Sequence, residues 1–73
     1  MNSNQIIDAV KNMGELGEKI RFRWRFPSNC MHHILNGETA EGFAELGFEG
    51  AELETMVVNF HIEYEKLIGD KNA

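Results

Sequence analysis

Residues 19–26 read KIRFRWRF. Apolar Ile20, Phe22, Trp24 and Phe26 alternate there with basic Lys19, Arg21, Arg23 and Arg25. Strict period-two alternation predicts a strand with one apolar and one charged face. Pro27 stops it, because proline cannot donate to a ladder. A strand cannot satisfy its own backbone groups. It therefore requires a second strand, from 30–35 or from a stretch that otherwise reads as helix, or else one from another chain by strand addition. The partner strand stays unassigned.

The rest of the chain reads as helix. Ser3 or Asn2 caps a first helix with Ile6, Ile7, Val10 and Met13 on one face, and Gly14 and Gly17 end it. Ser28 is positioned to cap a short helix carrying Met31, Ile34 and Leu35, which Asn36-Gly37 breaks. Thr39 caps a further helix through Phe43 and Leu46, weakened by Gly42. Gly47-Phe48-Glu49-Gly50 is a turn. The last helix, about 51–68, carries Leu53, Met56, Val57, Phe60, Tyr64 and Leu67 as one stripe. Glu52 and Glu54 suit its first turn, Gly69 its C-terminal cap, and residues from about 70 form a frayed tail. Val58 and Ile62 point away from the main stripe, either into a second packing contact or onto a partner. The expected fold class is α+β, mostly helical: an N-terminal helix, one basic and aromatic strand, short helices and a long C-terminal helix in a single domain, 1–73.

Charge is polarised along the chain. Four of the seven Lys and Arg residues fall within 19–26, while 38–65 holds eight acidic residues and no Lys or Arg. The basic row either pairs internally with these glutamates or meets a partner of opposite charge. Arginine favours the second use, because its planar fork binds carboxylates bidentately and is enriched at interfaces.

Several functions are disfavoured. In a strand the arginines and aromatics point to opposite faces, so they cannot jointly grip a single-stranded nucleic acid. Two helices around GFEG suggest a helix-turn-helix, but the recognition helix would begin AELETMVVNF, with glutamates facing phosphates. An acidic mimic of DNA is the inverse possibility. Cys30, His32, His33 and His61 are the soft ligands, and Cys-x-His-His is not a zinc spacing; no metal or cofactor is expected. Cys30 beside His32 or His33 is the sole nucleophile-and-base candidate, and no glycine-rich phosphate loop exists, so no enzyme is expected. One cysteine, no signal peptide and no 20-residue apolar run suggest a cytosolic protein.

Taken whole, through the opening MNSNQIIDAVKNMGELGEK and the run IRFRWRFPSNC, the chain resembles a family of small transcription regulators from lytic Xanthomonas bacteriophages. The similarity covers essentially the full length and rests on no short motif. It implies a non-enzymatic protein that acts in the host cytoplasm; a monomer is expected. Such a protein binds the amino-terminal region of the largest subunit of host RNA polymerase, weakens or displaces the initiation (sigma) factor and promotes antitermination. It implies no membrane and no direct sequence-specific nucleic-acid contact. From the residues themselves, the expected contact patch is Arg21, Arg23 and Arg25, with Ile6, Ile7 and Val10 of the first helix as an apolar anchor beside it. The competing readings are a repressor-like DNA-binding protein using the helices of 38–68, and a phage inhibitor of another protein.

Overall fold

A computed structural model describes residues 2–24 and 29–72 of the chain. Five helices run in order: α1 (Ser3–Lys11), α2 (Glu15–Arg23), α3 (Asn29–Leu35), α4 (Thr39–Glu45) and α5 (Gly50–Asn72). There is no strand among the described residues. The α+β expectation is therefore corrected to an all-helical fold. Lys19 to Arg23 belong to α2, and the remainder of the alternating run, 25–28 with Arg25 and the expected cap Ser28, lies outside the described residues.

The physical reason lies upstream of the alternating run. Leu16, Gly17, Ile20 and Trp24 fall at i, i+1, i+4 and i+8, the spacing of one helical face. Ile20 and Gly17 are buried, and Leu16 and Trp24 pack partly against the core. Gly17 does not end α1; it lets α2 lie against it. A Cβ at Gly17 would stand 1.9 Å from the Val10 carbonyl oxygen. The helix also satisfies its own backbone groups, which a solitary strand cannot. Its charges suit the macrodipole, with Glu15 and Glu18 in the first turn and Arg21 and Arg23 in the last.

The other helices have local causes. Asn2 caps α1: its side-chain oxygen accepts from the Gln5 N–H at 2.8 Å, and the Gln5 side chain accepts from the Asn2 N–H. This reciprocal pair is a capping box. Helix α3 ends in a Schellman turn. The Glu38 N–H donates to the His33 carbonyl at 2.8 Å and the Gly37 N–H to that of Ile34 at 3.0 Å. Gly37 takes φ +86 there, a conformation side chains resist. Glu38, not Thr39, occupies the N-cap position of α4, and Thr39 is its buried first residue. Gly42 has a packing role: a Cβ there would lie 2.7 Å from the Ile34 side chain and 3.0 Å from the Cys30 carbonyl oxygen.

The core joins Ile6, Ala9 and Val10 of α1, Ile20 of α2, Cys30 and Ile34 of α3, Phe43 of α4 and Met56, Phe60 and Tyr64 of α5. Phe60 anchors it, edge-on to Phe43 at 5.6 Å and stacked on Tyr64 at 6.0 Å. The Tyr64 hydroxyl donates to Gln5 Oε1 at 3.3 Å, tying the end of the fold to its capping box. Helix α5 continues past Gly69 to Asn72. Val58 and Ile62 of this helix are exposed, so it does not pack on two opposed sides. No described helix is long and apolar enough to cross a membrane.

Candidate functional site

Turning 19–23 from strand to helix redistributes every side chain of the basic run. Residues two apart on a helix are separated by about 160° around its axis. Arg21 and Arg23 therefore occupy opposite flanks of α2 rather than one row. Phe22, assigned to the core by the alternating pattern, stands between them on the solvent side at 83% exposed. Arg25 lies outside the described residues.

The two arginines have different surroundings. The Arg23 guanidinium sits 4.4 Å from the centre of the buried Phe48 ring, a cation–π contact. Its Nη1 also donates to the Leu46 carbonyl at 3.5 Å. Arg23 thus clips the end of α2 to the turn between α4 and α5. Arg21 is exposed, and its side chain has no hydrogen-bond or ionic partner among the described residues. Lys19 is the basic residue of the run that pairs with a glutamate, Glu52 at 3.1 Å. Both are exposed, so the pair contributes at most about 1 kcal/mol. No arginine of α2 is neutralised by a carboxylate among the described residues.

Around Phe22 the surface forms an open, shallow depression lined also by Glu15, Glu18, Lys19, Arg23 and Glu52. This suits a protrusion from a protein partner better than a small molecule, which needs a deeper concavity.

The expected apolar anchor separates into two kinds of residue. Ile6 and Val10 are in the core, at 0% and 1% exposed, and present no surface. Ile7 is 39% exposed, and α1 packs beside α2. The exposed candidates are therefore Arg21, Phe22 and Ile7, with Arg23 partly committed to the fold. Sequence reading missed Phe22, and a helical register for Leu16, Ile20 and Trp24 would have found it.

The histidines of α3 diverge. Their rings are 6.2 Å apart at 64°. His32 turns to Asn36, and His33 turns to the carboxylates of Glu38 and Glu41. Cys30, the nucleophile candidate, is 1% exposed within the core. No family model, curated protein or solved structure matches the chain.

Proposed function

We propose that this chain is a phage-encoded regulator that docks on host bacterial RNA polymerase at the amino-terminal region of its largest subunit. There it weakens or displaces the initiation factor and favours read-through of terminators, acting stoichiometrically in the host cytoplasm and without catalysis. The observation that carries the docking reading is Phe22, 83% exposed between two arginines that no described carboxylate neutralises. An aromatic flanked by arginines is the composition of an interface hot spot. The identity of the partner comes from the sequence resemblance.

The energetics are modest. Burying a phenylalanine side chain contributes about 1.5–3 kcal/mol. A tenfold change in an equilibrium requires about 1.4 kcal/mol. Displacing an initiation factor requires only that the protein bind the factor-free enzyme more tightly than the factor-bound one. A patch of this size supplies enough if its contacts form in one state and not the other.

The test is binding of purified core and holo polymerase to the wild-type chain and to Phe22→Ala, Arg21→Glu and the double variant. The expected result is a weakening of at least about tenfold for each single change, with circular dichroism unaltered. Unchanged polymerase affinity in the folded double variant refutes the assignment of Arg21 and Phe22 as contacts. Absence of binding by the wild-type chain refutes the polymerase reading itself.

A further inference from the structure

We propose that His33, Glu38 and Glu41 form a binding site for one divalent transition-metal ion of the zinc class, built across the α3–α4 turn. His33 Nδ1 lies 3.3 Å from Glu38 Oε1 and 3.8 Å from Glu41 Oε2. One ligand atom from each residue lies within 4.8 Å of the other two. Ligands about a tetrahedral zinc, with bonds of about 2.0–2.1 Å, stand about 3.3–3.4 Å apart. The first separation already has that value, and the others close to it by small torsions of exposed glutamates.

Three features set this cluster apart from a solvated acidic face. First, it contains an imidazole, the borderline ligand that zinc, nickel and cobalt prefer over an all-oxygen site. His33 is the half-buried member, at 26% side-chain exposure, and points out of α3 towards the carboxylates of α4. Second, Glu38 holds the N-cap position of α4 yet makes no side-chain cap bond. Its carboxylate is directed at His33 instead of at its own helix's free N–H groups. Third, Glu45 Oε1 stands 3.9 Å from Nε2, on the opposite edge of the same ring. A movement of about 1 Å brings it into hydrogen-bonding range. As it stands, Nδ1 donates to the Glu38 carboxylate at 3.3 Å; a metal on Nδ1 would replace that proton, and Glu45 would then accept from Nε2–H as the outer member of a carboxylate–histidine–metal arrangement.

The cluster stands on a closed turn and a close helix–helix contact. The Schellman turn at Gly37 fixes the step from His33 to Glu38. The close approach of Gly42 to Ile34 and the Cys30 carbonyl fixes the separation of the two helices. No lysine or arginine pairs with these glutamates among the described residues. Three carboxylates therefore lie within 4 Å of one imidazole, and their mutual repulsion is relieved by a cation. Three protein ligands leave further positions for water.

The test is titration of the whole chain with ZnCl₂, followed by calorimetry and by the ¹⁵N shifts of the histidine rings. The expected result is a saturable 1:1 event in which His33 Nδ1 moves and Nε2 becomes the protonated nitrogen. His33→Ala abolishes the event, His32→Ala and His61→Ala leave it intact, and Glu45→Gln weakens it by about tenfold. Affinity falls in acid as protons compete for the imidazole. The ring shifts of the wild-type chain give the answer even if a variant unfolds. Non-saturating binding, binding shared among His32, His33 and His61, or binding that survives His33→Ala overturns the proposal.

Discussion

Replacing Gly17 by alanine is expected to destabilise this protein, although alanine is the better helix former by about 1 kcal/mol. The added Cβ would lie 1.9 Å from the Val10 carbonyl oxygen, 3.1 Å from the Val10 carbonyl carbon and 3.3 Å from the Met13 Cβ. Ordinary van der Waals contact begins near 3.4 Å. The obstacle is backbone of α1, which cannot swing aside as a side-chain tip can. Helix α2 must therefore retreat by more than 1 Å, which opens the contacts of Ile20 with the core. Overpacking of this kind costs about 1–3 kcal/mol or more, and it outweighs the propensity gain. We expect a net loss of about 2 kcal/mol. In a domain whose total is about 4–11 kcal/mol, that lowers the melting temperature by roughly 8–16 °C. Gly69→Ala is the internal control. Gly69 also lies within a helix, but nothing stands within 4 Å of its would-be Cβ. There the propensity term acts alone, and a gain of up to about 1 kcal/mol is expected. Thermal and urea unfolding by circular dichroism measure both variants. A Gly17→Ala protein as stable as the wild type would show that α1 and α2 do not make this close contact. It would also reopen the assignment of 19–23 to a helix.

Phe60→Ala removes the ring that joins Phe43 to Tyr64 and is expected to cost about 3–5 kcal/mol, leaving little cooperative unfolding in a thermal melt. Asn2→Ala breaks the capping box and is expected to cost about 1 kcal/mol, read as a lower urea midpoint at constant slope. Thr39→Val removes a buried hydroxyl with no hydrogen-bond partner among the described residues while keeping its shape. It is expected to leave stability unchanged or raise it by up to about 1 kcal/mol in the same urea assay.

The elements that were legible in sequence are those with several turns of consistent spacing. Helix α5 announces itself through Met56, Phe60 and Tyr64, and α1 through Ile6, Val10 and an asparagine cap. The break at Asn36-Gly37 is legible because few residues other than glycine accept φ +86. The basic run misleads for a definite reason. Over eight residues, an apolar residue at every second position also places Ile20 and Trp24 four apart, so strand and helix periods both fit. Leu16 and Gly17 decide between them, and Gly17 reads locally as a stop rather than as a contact. The His33 cluster escapes motif reading for another reason. Its ligands straddle the Gly37 turn as His-x₄-Glu-x₂-Glu, whereas cysteine and histidine spacing leads to Cys30, which is buried in the core.

Burial makes the proposed docking residues experimentally separable from the fold, and that governs which substitutions can report on binding. Phe22 is 83% exposed, so Phe22→Ala should alter stability by less than about 0.5 kcal/mol. Any loss of partner affinity in that variant then belongs to the interface. Ile6 and Val10 have the opposite character: truncating either opens the core, and a loss of binding would follow from unfolding alone. Arg23 is intermediate. Its guanidinium serves the fold through Phe48 and the Leu46 carbonyl, and the same group is available to a carboxylate approaching from solvent. Arg23→Glu removes both functions at once. Arg23→Lys keeps the charge and some cation–π attraction but loses the planar fork. A partner that needs bidentate recognition should therefore discriminate against Arg23→Lys at unchanged melting temperature, while one that needs only positive charge should tolerate it. A double-mutant cycle pairing Arg23→Lys with Phe48→Leu measures how much of the effect passes through the turn. If the loss of affinity disappears when Phe48 is already replaced, Arg23 acts by positioning α2, and the proposed contact surface narrows to Arg21, Phe22 and Ile7.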